Sequence, residues 1–401
     1  MTLWGGRVGV ELAPAVAGFL RADDADLLPY DLEGTLIHAR RLEAAGILTT
    51  AELAEVTRRL SEITAADIGR SDEDVHSAIE RLLGEVGRKI HAGRSRNDQV
   101  AAALRLYVRD ACAEAERALA DFVGAVLDRA GDEAETIMPG YTHLQRAIPV
   151  TLGHHLLAWV EMLERDRTRL RFAAAQATPS PLGAGALAGS TLRLPPPPEP
   201  MRNSIDAVSD RDFALDYLYA CAVCFTHLAR IGEEIVLWTT SEFGYARLPE
   251  EAATGSSMMP HKLNADVAEL ARGKAGTAIG RLTGLLATLK GLPLAYNRDL
   301  QEDKQAVFAA RADISGALAA LAALVAGLDI DRERLARACA DPLLRATDAA
   351  EALVATGVPF RDAHHRVAAE VRDDTFSPPE SAAPRLGDVG AAVRAAKERW
   401  T

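Results

Sequence analysis

The residues from 254 to 266, TGSSMMPHKLNAD, carry the side chains best suited to chemistry. The Gly-Ser-Ser run around Ser256 is flexible and bears hydroxyls, and Pro260 prevents a helix from closing over it. Lys262 is one of only six lysines among 45 basic residues, and an ammonium offers a compact, rotatable charge. Asn264 adds an amide that can donate to an oxyanion. An ordinary polar surface loop has the same composition, so both interpretations stay open.

Two further polar stretches could bind or protonate a substrate. In HAGRSRND, residues 91–98, Arg94 and Arg96 are two residues apart and could hold a dianion by charge-assisted hydrogen bonds. A solvated basic loop is the alternative. The THLQ sequence places His143 just before a helix that we predict to begin near Pro149. A capping or core role would also explain that histidine.

Composition limits the class of protein. Aromatic residues are only 5% of the 401, so the core must be built from Leu, Ala and Val, which favours an all-α chain. A net charge of -12 argues against a general nucleic-acid binder. We find neither a signal-peptide pattern nor an apolar run of the length that spans a membrane, and therefore expect a cytoplasmic protein.

Cysteine and acidic residues do not form a metal site in this sequence. Cys221 and Cys224 make one CxxC pair with no second pair to complete a zinc site, so we predict buried thiols in a reducing compartment. The acidic residues 72–74 precede a predicted helix, and we interpret them as helix-capping groups rather than metal ligands. We expect neither a metal nor an organic cofactor.

Long helical patterns must position these groups. Apolar residues recur every three or four positions in five long segments, at about 100–131, 149–176, 204–241, 265–290 and 303–328. Five long helices predict a central bundle, and their apolar faces are too extensive for a monomer to cover, which predicts self-association. We predict three helical domains, at residues 1–98, 99–336 and 337–401.

Several motifs extend this interpretation by resemblance. GSSMMPHKLN resembles the GSSxMPxKxN signature of the fumarase, aspartase and argininosuccinate lyase superfamily. The sequence resembles argininosuccinate lyases in particular, over about residues 3 to 370, in LWGGR, HAGRSRNDQV, GYTHLQRAIPV, SPLGAGALAGST, NSIDAVSDRDF, YNRDLQEDK and GVPFRDAH.

The resemblance implies cleavage of L-argininosuccinate to L-arginine and fumarate by general acid and base elimination. Ser256 would remove the Cβ proton, and Lys262 and Asn264 would hold the doubly charged aci-carboxylate of the carbanion intermediate. His143 would act on the acid side, directly or through water, and Glu269 would orient this histidine and keep it basic.

The resemblance also implies the substrate-binding residues and the assembly. Arg94, Ser95, Asn97 and Thr142 would surround the fumarate half, and Tyr296, Gln301 and Lys304 would contact the amino-acid half. Gln145 and Arg211 match further positions near the site. In this superfamily a homotetramer forms the active sites between subunits, so we expect four copies that share their sites.

Some positions depart from the family pattern. In the signature loop, His261, Leu263 and Ala265 replace the usual family residues, and the serine-containing segment that normally precedes PYD is shorter here. The alternative functions are therefore a related lyase for another N-substituted succinate and a non-catalytic, crystallin-like derivative.

Overall fold

Helices account for nearly all the regular structure of the chain. The computed structural model describes residues 12–69, 72–379 and 386–400, so the LWGGR motif lies outside the described residues. The predicted all-α class is confirmed, since the strands are only two to seven residues long. The helices are α1 Pro14–Leu20, α2 Leu28–Ala44, α3 Thr50–Glu62, α4 Val75–Leu82, α5 Gly87–Ile90, α6 Arg96–Asp132, α7 Leu152–Ala177, α8 Ser204–Ser209, α9 Asp212–Thr239, α10 Asp266–Leu289, α11 Asp303–Gly327, α12 Arg332–Ala338, α13 Ala346–Ala355, α14 Phe360–Arg372 and α15 Val389–Trp400.

Three small antiparallel pairs of strands accompany the helices in the described part of the chain. They are β1 Ile137–Thr142 with β2 Gln145–Thr151, β3 Ala246–Arg247 with β6 Asp329–Ile330, and β4 Thr254–Gly255 with β5 Leu263–Asn264. Two of these pairs carry predicted catalytic residues. β1 and β2 flank His143, and β4 and β5 enclose the signature loop.

The chain divides into two compact units, each built from three separate segments. Unit 1 comprises residues 1–116, 167–223 and 276–315, and unit 2 comprises residues 117–166, 224–275 and 316–401. Every boundary between segments falls inside a long helix. The division into domains at residues 98 and 336 stays a prediction.

Buried apolar side chains and ion pairs hold unit 1 together. Leu42 of α2 and Ile79 of α4 are almost wholly buried. On α11, Arg311 donates to Glu114 of α6 at 2.6 Å and to the Tyr30 hydroxyl at 2.8 Å. These contacts fix the first part of α11 against α2 and α6 within this unit.

Unit 2 has an aromatic centre. Trp159 of α7 stacks on Trp238 of α9 with ring centroids 5.4 Å apart. The Trp159 indole N–H and the His155 ring both bond to one carboxylate oxygen of Glu234, at 2.6 and 2.8 Å. Stacking and shared hydrogen bonds therefore align these two helices.

The predicted helices are largely correct, with two corrections. Pro149 does not begin a helix; it pairs with Pro139 across the β1–β2 hairpin, and α7 begins only at Leu152. The predicted segment 204–241 is two helices, because the Asp210 backbone is extended and its side chain caps the N–H of Asp212 at 2.8 Å.

Two predictions about buried and capping groups are confirmed. Cys221 and Cys224 are buried in α9 and are not joined in a disulfide bond. Asp74 caps α4 by accepting the Ser77 N–H at 2.8 Å, so the capping interpretation is confirmed for this acid. The other two acids of the cluster form ion pairs, Asp72 with Arg81 and Glu73 with Arg298. The described residues contain no group of His, Cys, Asp and Glu side chains arranged to hold a metal ion.

One segment, Arg298–Gly327, is long and apolar enough to cross a membrane by length and composition. Core helices of soluble proteins meet the same criterion. In this segment Asp303 is wholly buried against Arg211, and Arg311 pairs with Glu114. Such pairs are typical of a helix packed inside protein.

Candidate active site

The signature loop is a closed turn between β4 and β5. The Ser256 N–H donates to the Lys262 carbonyl at 3.3 Å, and the Lys262 N–H donates back to the Met259 carbonyl at 3.1 Å. The Ser256 hydroxyl oxygen accepts the N–H groups of Met258 at 3.3 Å and Met259 at 3.0 Å. Donors aimed at an oxygen stabilise negative charge on it, so the turn supports a deprotonated serine.

Lys262 and Asn264 lie side by side beyond that serine. The Lys262 ammonium donates to the Asn264 amide oxygen. This bond leaves the amide N–H groups of Asn264 and the other ammonium protons as donors. Lys262 is exposed in this chain and Asn264 is half-buried. A carboxylate that reached the turn would therefore meet two kinds of donor.

His143 occupies the tip of the β1–β2 hairpin. Thr142 pairs with Gln145, so the turn has only two central residues, His143 with a φ of 56° and Leu144 with a φ of 58°. Positive φ at both central residues is typical of a type I′ turn, and it is strained for residues with a Cβ. His143 is exposed, so its ring is available to a ligand.

Aromatic contacts brace the hairpin behind His143. The hydroxyls of Tyr141 and Tyr245 are 2.5 Å apart. Phe243 packs near both rings, with centroid distances of 5.8 Å to Tyr141 and 5.5 Å to Tyr245. This bracing holds the strained turn in place.

Glu269 lies in the first turn of α10 and is exposed. Its carboxylate is 4.0 Å from the Arg272 guanidinium, a weak pair at the surface. Within the described residues no hydrogen bond joins Glu269 to His143, and none joins His143 to the signature loop. The orienting role of Glu269 stays a prediction.

The binding residues predicted near the amino-acid half share a cavity in unit 1. The cavity has a volume of about 140 Å³. Predicted residues in its lining are Asn97, Tyr296, Gln301 and Lys304. The lining also includes Arg96 of the two-arginine loop. Sequence reasoning gave no binding role to the other charged or titratable residues of the lining, which are Asp24, Glu73, Asp74, His76 and Arg298. The mixture of acids and bases suits a zwitterion.

Arg94 does not line this cavity. Its side chain is buried and donates to the Thr35 hydroxyl at 3.0 Å. Arg96 takes the position at the cavity and pairs with Asp74. The contact of Arg94 with substrate stays a prediction. Arg96, the second arginine of the pair that the spacing singled out, is the one that lines the cavity.

Ser95 and Asn97 form the start of α6. The Ser95 N–H donates to Asp98 at 3.0 Å, and the Ser95 hydroxyl oxygen accepts the Asn97 N–H at 3.2 Å. The Asn97 amide also donates to the Ala186 carbonyl at 3.2 Å, which ties the cavity to the glycine-rich segment.

A buried histidine lies in the cavity wall. The Nδ1 atom of His76 bonds to Asp31 at 2.8 Å, and its Nε2 atom is 4.0 Å from Asp24. Burial opposes charge on both partners, yet their mutual attraction and hydrogen bond lower the pKa of Asp31 and raise the pKa of His76. Burial raises the pKa of Asp24.

Lys304 reaches the cavity from the start of α11. Its ammonium donates to Asp303 at 2.9 Å, and Arg211 donates to the other oxygen of Asp303 at 2.5 Å. Arg211 is wholly buried and does not line the cavity. Gln301 donates to the carbonyls of Leu20 and Arg21, both at 3.4 Å.

Comparisons with known proteins agree with these motifs. A family model described as a lyase matches residues 22–280, and an argininosuccinate lyase C-terminal model matches residues 343–376. The argininosuccinate lyase of Frankia casuarinae is 51% identical over 92% of this chain and 83% of its own length. The chain belongs to the argininosuccinate lyase family. The argininosuccinate lyase of Acidothermus cellulolyticus is 49% identical over 91% of this chain and 79% of its own length. The resemblance drawn from the motifs is thus confirmed.

Solved structures outside the argininosuccinate lyases share the architecture. A crystal structure of EDDS lyase in complex with formate has a TM-score of 0.77 and 26% identity, covering 98% of this chain and 85% of the other. A class II fumarase from Schistosoma mansoni has a TM-score of 0.76 at 16% identity, covering 91% and 92%. The fumarase comparison shows the fold alone.

Proposed function

We propose that this member of the argininosuccinate lyase family cleaves L-argininosuccinate to L-arginine and fumarate. The observation that carries the proposal is the agreement of several curated argininosuccinate lyases, 43% to 51% identical over at least 91% of the chain. The protein is a carbon-nitrogen lyase. The signature turn, with its serine, lysine and asparagine, supplies groups suited to that elimination.

The proposed mechanism uses the turn at residues 256–264 as a base and an oxyanion site. Ser256 removes the Cβ proton, and the backbone donors of Met258 and Met259 stabilise its deprotonated form. Lys262 and Asn264 then stabilise the aci-carboxylate of the carbanion.

His143 completes the elimination on the acid side. It delivers a proton to the departing nitrogen, directly or through water, and Glu269 orients its ring. Thr142, which precedes this histidine, binds the fumarate half of the substrate, as do Arg94, Ser95 and Asn97. Gln145 binds substrate from the same hairpin. One step removes the Cβ proton, and the next breaks the carbon-nitrogen bond as the departing nitrogen is protonated. Proton transfers by these side chains are enough for both steps, so the mechanism calls for no metal and no organic cofactor.

The amino-acid half of the substrate would occupy the cavity of unit 1. Tyr296, Gln301 and Lys304 line that cavity with Asn97, and they offer donors for a carboxylate. The acidic side chains of the same cavity offer acceptors for an ammonium or guanidinium group. This distribution of charge supports a subsite for arginine.

We further propose a cytoplasmic homotetramer whose subunits share active sites. Much of α10 is exposed in a single chain, including Leu270 at 61%, Ile279 at 51% and Leu286 at 49%. Apolar exposure of this extent favours burial against other copies. Assembly would also bring residues of other copies to the exposed signature turn.

The test is fumarate release from argininosuccinate, followed by its ultraviolet absorbance. The unaltered protein should release fumarate in a saturable manner. Ser256→Ala should lower kcat roughly 10²- to 10⁴-fold, since it removes the base. Ser257→Ala, the matched control in the same turn, should stay near the unaltered rate.

Two outcomes would contradict the proposal in different ways. Substantial turnover by Ser256→Ala would remove Ser256 from the base role. A folded oligomer that leaves argininosuccinate intact and cleaves another N-substituted succinate would favour the alternative lyase. That alternative is the less favoured function, because the identity to EDDS lyase is only 26%.

A further inference from the structure

Two buried cations converge on one buried carboxylate behind the unit 1 cavity. The side chains of Arg211 and Asp303 have no exposed surface, and that of Lys304 has 5%. Asp303 accepts from Arg211 through one oxygen and from Lys304 through the other. Only Lys304, the last member of this chain of contacts, lines the cavity.

Asp303 remains charged in this setting. Burial would raise the pKa of its carboxyl, but Lys304 and Arg211 outweigh burial and lower it. A buried carboxylate between two cations is strongly ordered, because moving either cation would leave a buried charge unpaired. The ammonium of Lys304 is consequently fixed at one point of the cavity wall.

Arg211 is anchored in turn by the backbone. Its second guanidinium nitrogen donates to the Asp210 carbonyl at 2.8 Å, at the break between α8 and α9. The neighbouring Asp210 carboxylate pairs with Arg105 of α6. The contacts therefore run without interruption from the α8–α9 break to the cavity.

We infer that Arg211 and Asp303 are positioning residues that fix the Lys304 ammonium for a carboxylate of the amino-acid half of the substrate. The inference rests on the proposed function, which places that half in this cavity. It differs from the sequence-based expectation for Arg211, since a wholly buried guanidinium acts through Asp303 and does not touch the ligand.

The test compares arginine and fumarate as inhibitors of Asp303→Asn. Asparagine keeps the shape but loses the charge that holds both cations. The inhibition constant for arginine and the KM for argininosuccinate should rise roughly tenfold to 100-fold, as expected for a weakened charged hydrogen bond. The inhibition constant for fumarate and kcat should change less than about threefold, a split that general loss of structure would not produce.

Three further variants make the test specific. Lys304→Met should weaken arginine inhibition at least as much as Asp303→Asn, and the double variant should add little, because both changes remove one interaction. Arg211→Lys keeps the positive charge and should show the same split in a milder form. Exposed Lys290→Met is the matched control and should match the unaltered protein.

Specific outcomes overturn the inference. If Lys304→Met weakens arginine inhibition and neither Asp303→Asn nor Arg211→Lys does so, positioning through Asp303 is wrong. If Lys304→Met has no effect, Lys304 does not contact the ligand and the inference fails with that assignment. Should Asp303→Asn not fold, Arg211→Lys decides the question.

Direct binding separates this inference from the proposed function. Calorimetric titration of the unaltered protein with arginine requires no turnover. If arginine binds and the Lys304 and Asp303 variants weaken it, the positioning role holds even where argininosuccinate is not cleaved. That result would contradict the proposed reaction alone.

Discussion

At the scale of single residues, unit 1 holds two buried histidines in opposite charge states. The Nε2 atom of His38 donates to the Ala92 carbonyl at 3.0 Å, while its Nδ1 atom accepts from Arg41 at 3.4 Å. Burial and the nearby Arg94 lower the pKa of His38 to about 3. His76, between Asp24 and Asp31, instead has a raised pKa.

These shifts predict opposite effects of pH on two variants. Between about pH 6.5 and 3, the unfolded chain protonates His38 while the folded chain does not, so acid destabilises the fold. The loss of unfolding free energy that His38→Gln causes should therefore become smaller as the pH falls from 7 to 5. Urea titrations at several pH values measure it.

For His76 the sign reverses. Its raised pKa stabilises the fold fully below about pH 6.5, and this stabilisation is lost as pH rises through the higher folded pKa. The loss caused by His76→Gln should thus be larger at pH 6 than at pH 9. The same slope in both variants would contradict the assigned charge states.

The exposed His143 supports a prediction about kinetics. His143→Asn should lower kcat roughly 10²- to 10⁴-fold with little change in KM, since an amide cannot transfer the proton. Steady-state fumarate release measures both constants. His154→Asn, an exposed histidine of α7, should behave like the unaltered protein, and an unchanged kcat in His143→Asn would contradict the acid-side role.

At the scale of elements, one close helix contact in unit 2 depends on glycine. A Cβ on Gly232 of α9 would lie 2.5 Å from the Ala268 carbonyl oxygen of α10. Gly232→Ala should therefore separate the two helices and cost about 1–3 kcal/mol of unfolding free energy. Thermal or urea unfolding measures this.

The control for that variant is Gly124→Ala on α6. A Cβ there meets no atom within 4 Å in the described part of the chain. Alanine in an unhindered helix position should stabilise the protein by about 0.5–1 kcal/mol. Destabilisation of both variants alike would contradict the close contact between α9 and α10.

The sequence predicted long helices well and the short strands poorly. Periodic apolar residues located α10 and α11 to within about one or two residues. The β1–β2 hairpin was missed, because its central residues, His143 and Leu144, are not the glycine or asparagine that usually signal such a turn.

The candidate site, too, could be predicted from the sequence only in part. The residues of the signature turn belong to one long sequence motif, so it was predictable that they lie close to one another. The burial of the Arg94 side chain was not predictable, because its partner Thr35 lies 59 residues away in sequence. Nor does sequence spacing reveal that Asp303 stands between Arg211 and the cavity.

At the scale of the whole molecule, α10 supports a prediction about assembly. Four exposed glycines along it, Gly273, Gly276, Gly280 and Gly284, would allow a helix of another copy to approach closely. Ile279 lies beside them. Ile279→Asp should place a charge in the proposed interface, reduce the sedimenting mass of the particle and lower its activity.

Val354→Asp is the matched control for assembly. Val354 is 38% exposed and lies on α13, a different helix from the one that carries the four glycines. Its sedimentation should equal that of the unaltered protein. A tetramer that survives Ile279→Asp with full activity would exclude the α10 face as the interface.

The interleaving of the two units has a consequence for synthesis. Unit 1 needs residues 276–315 to close, and unit 2 needs residues 316–401. During translation, therefore, neither unit can complete its core until most of the polypeptide has left the ribosome. Helix α6, for example, is complete long before α11, whose Arg311 binds Glu114. The nascent chain therefore exposes apolar surface, and with it a risk of aggregation, for most of its elongation.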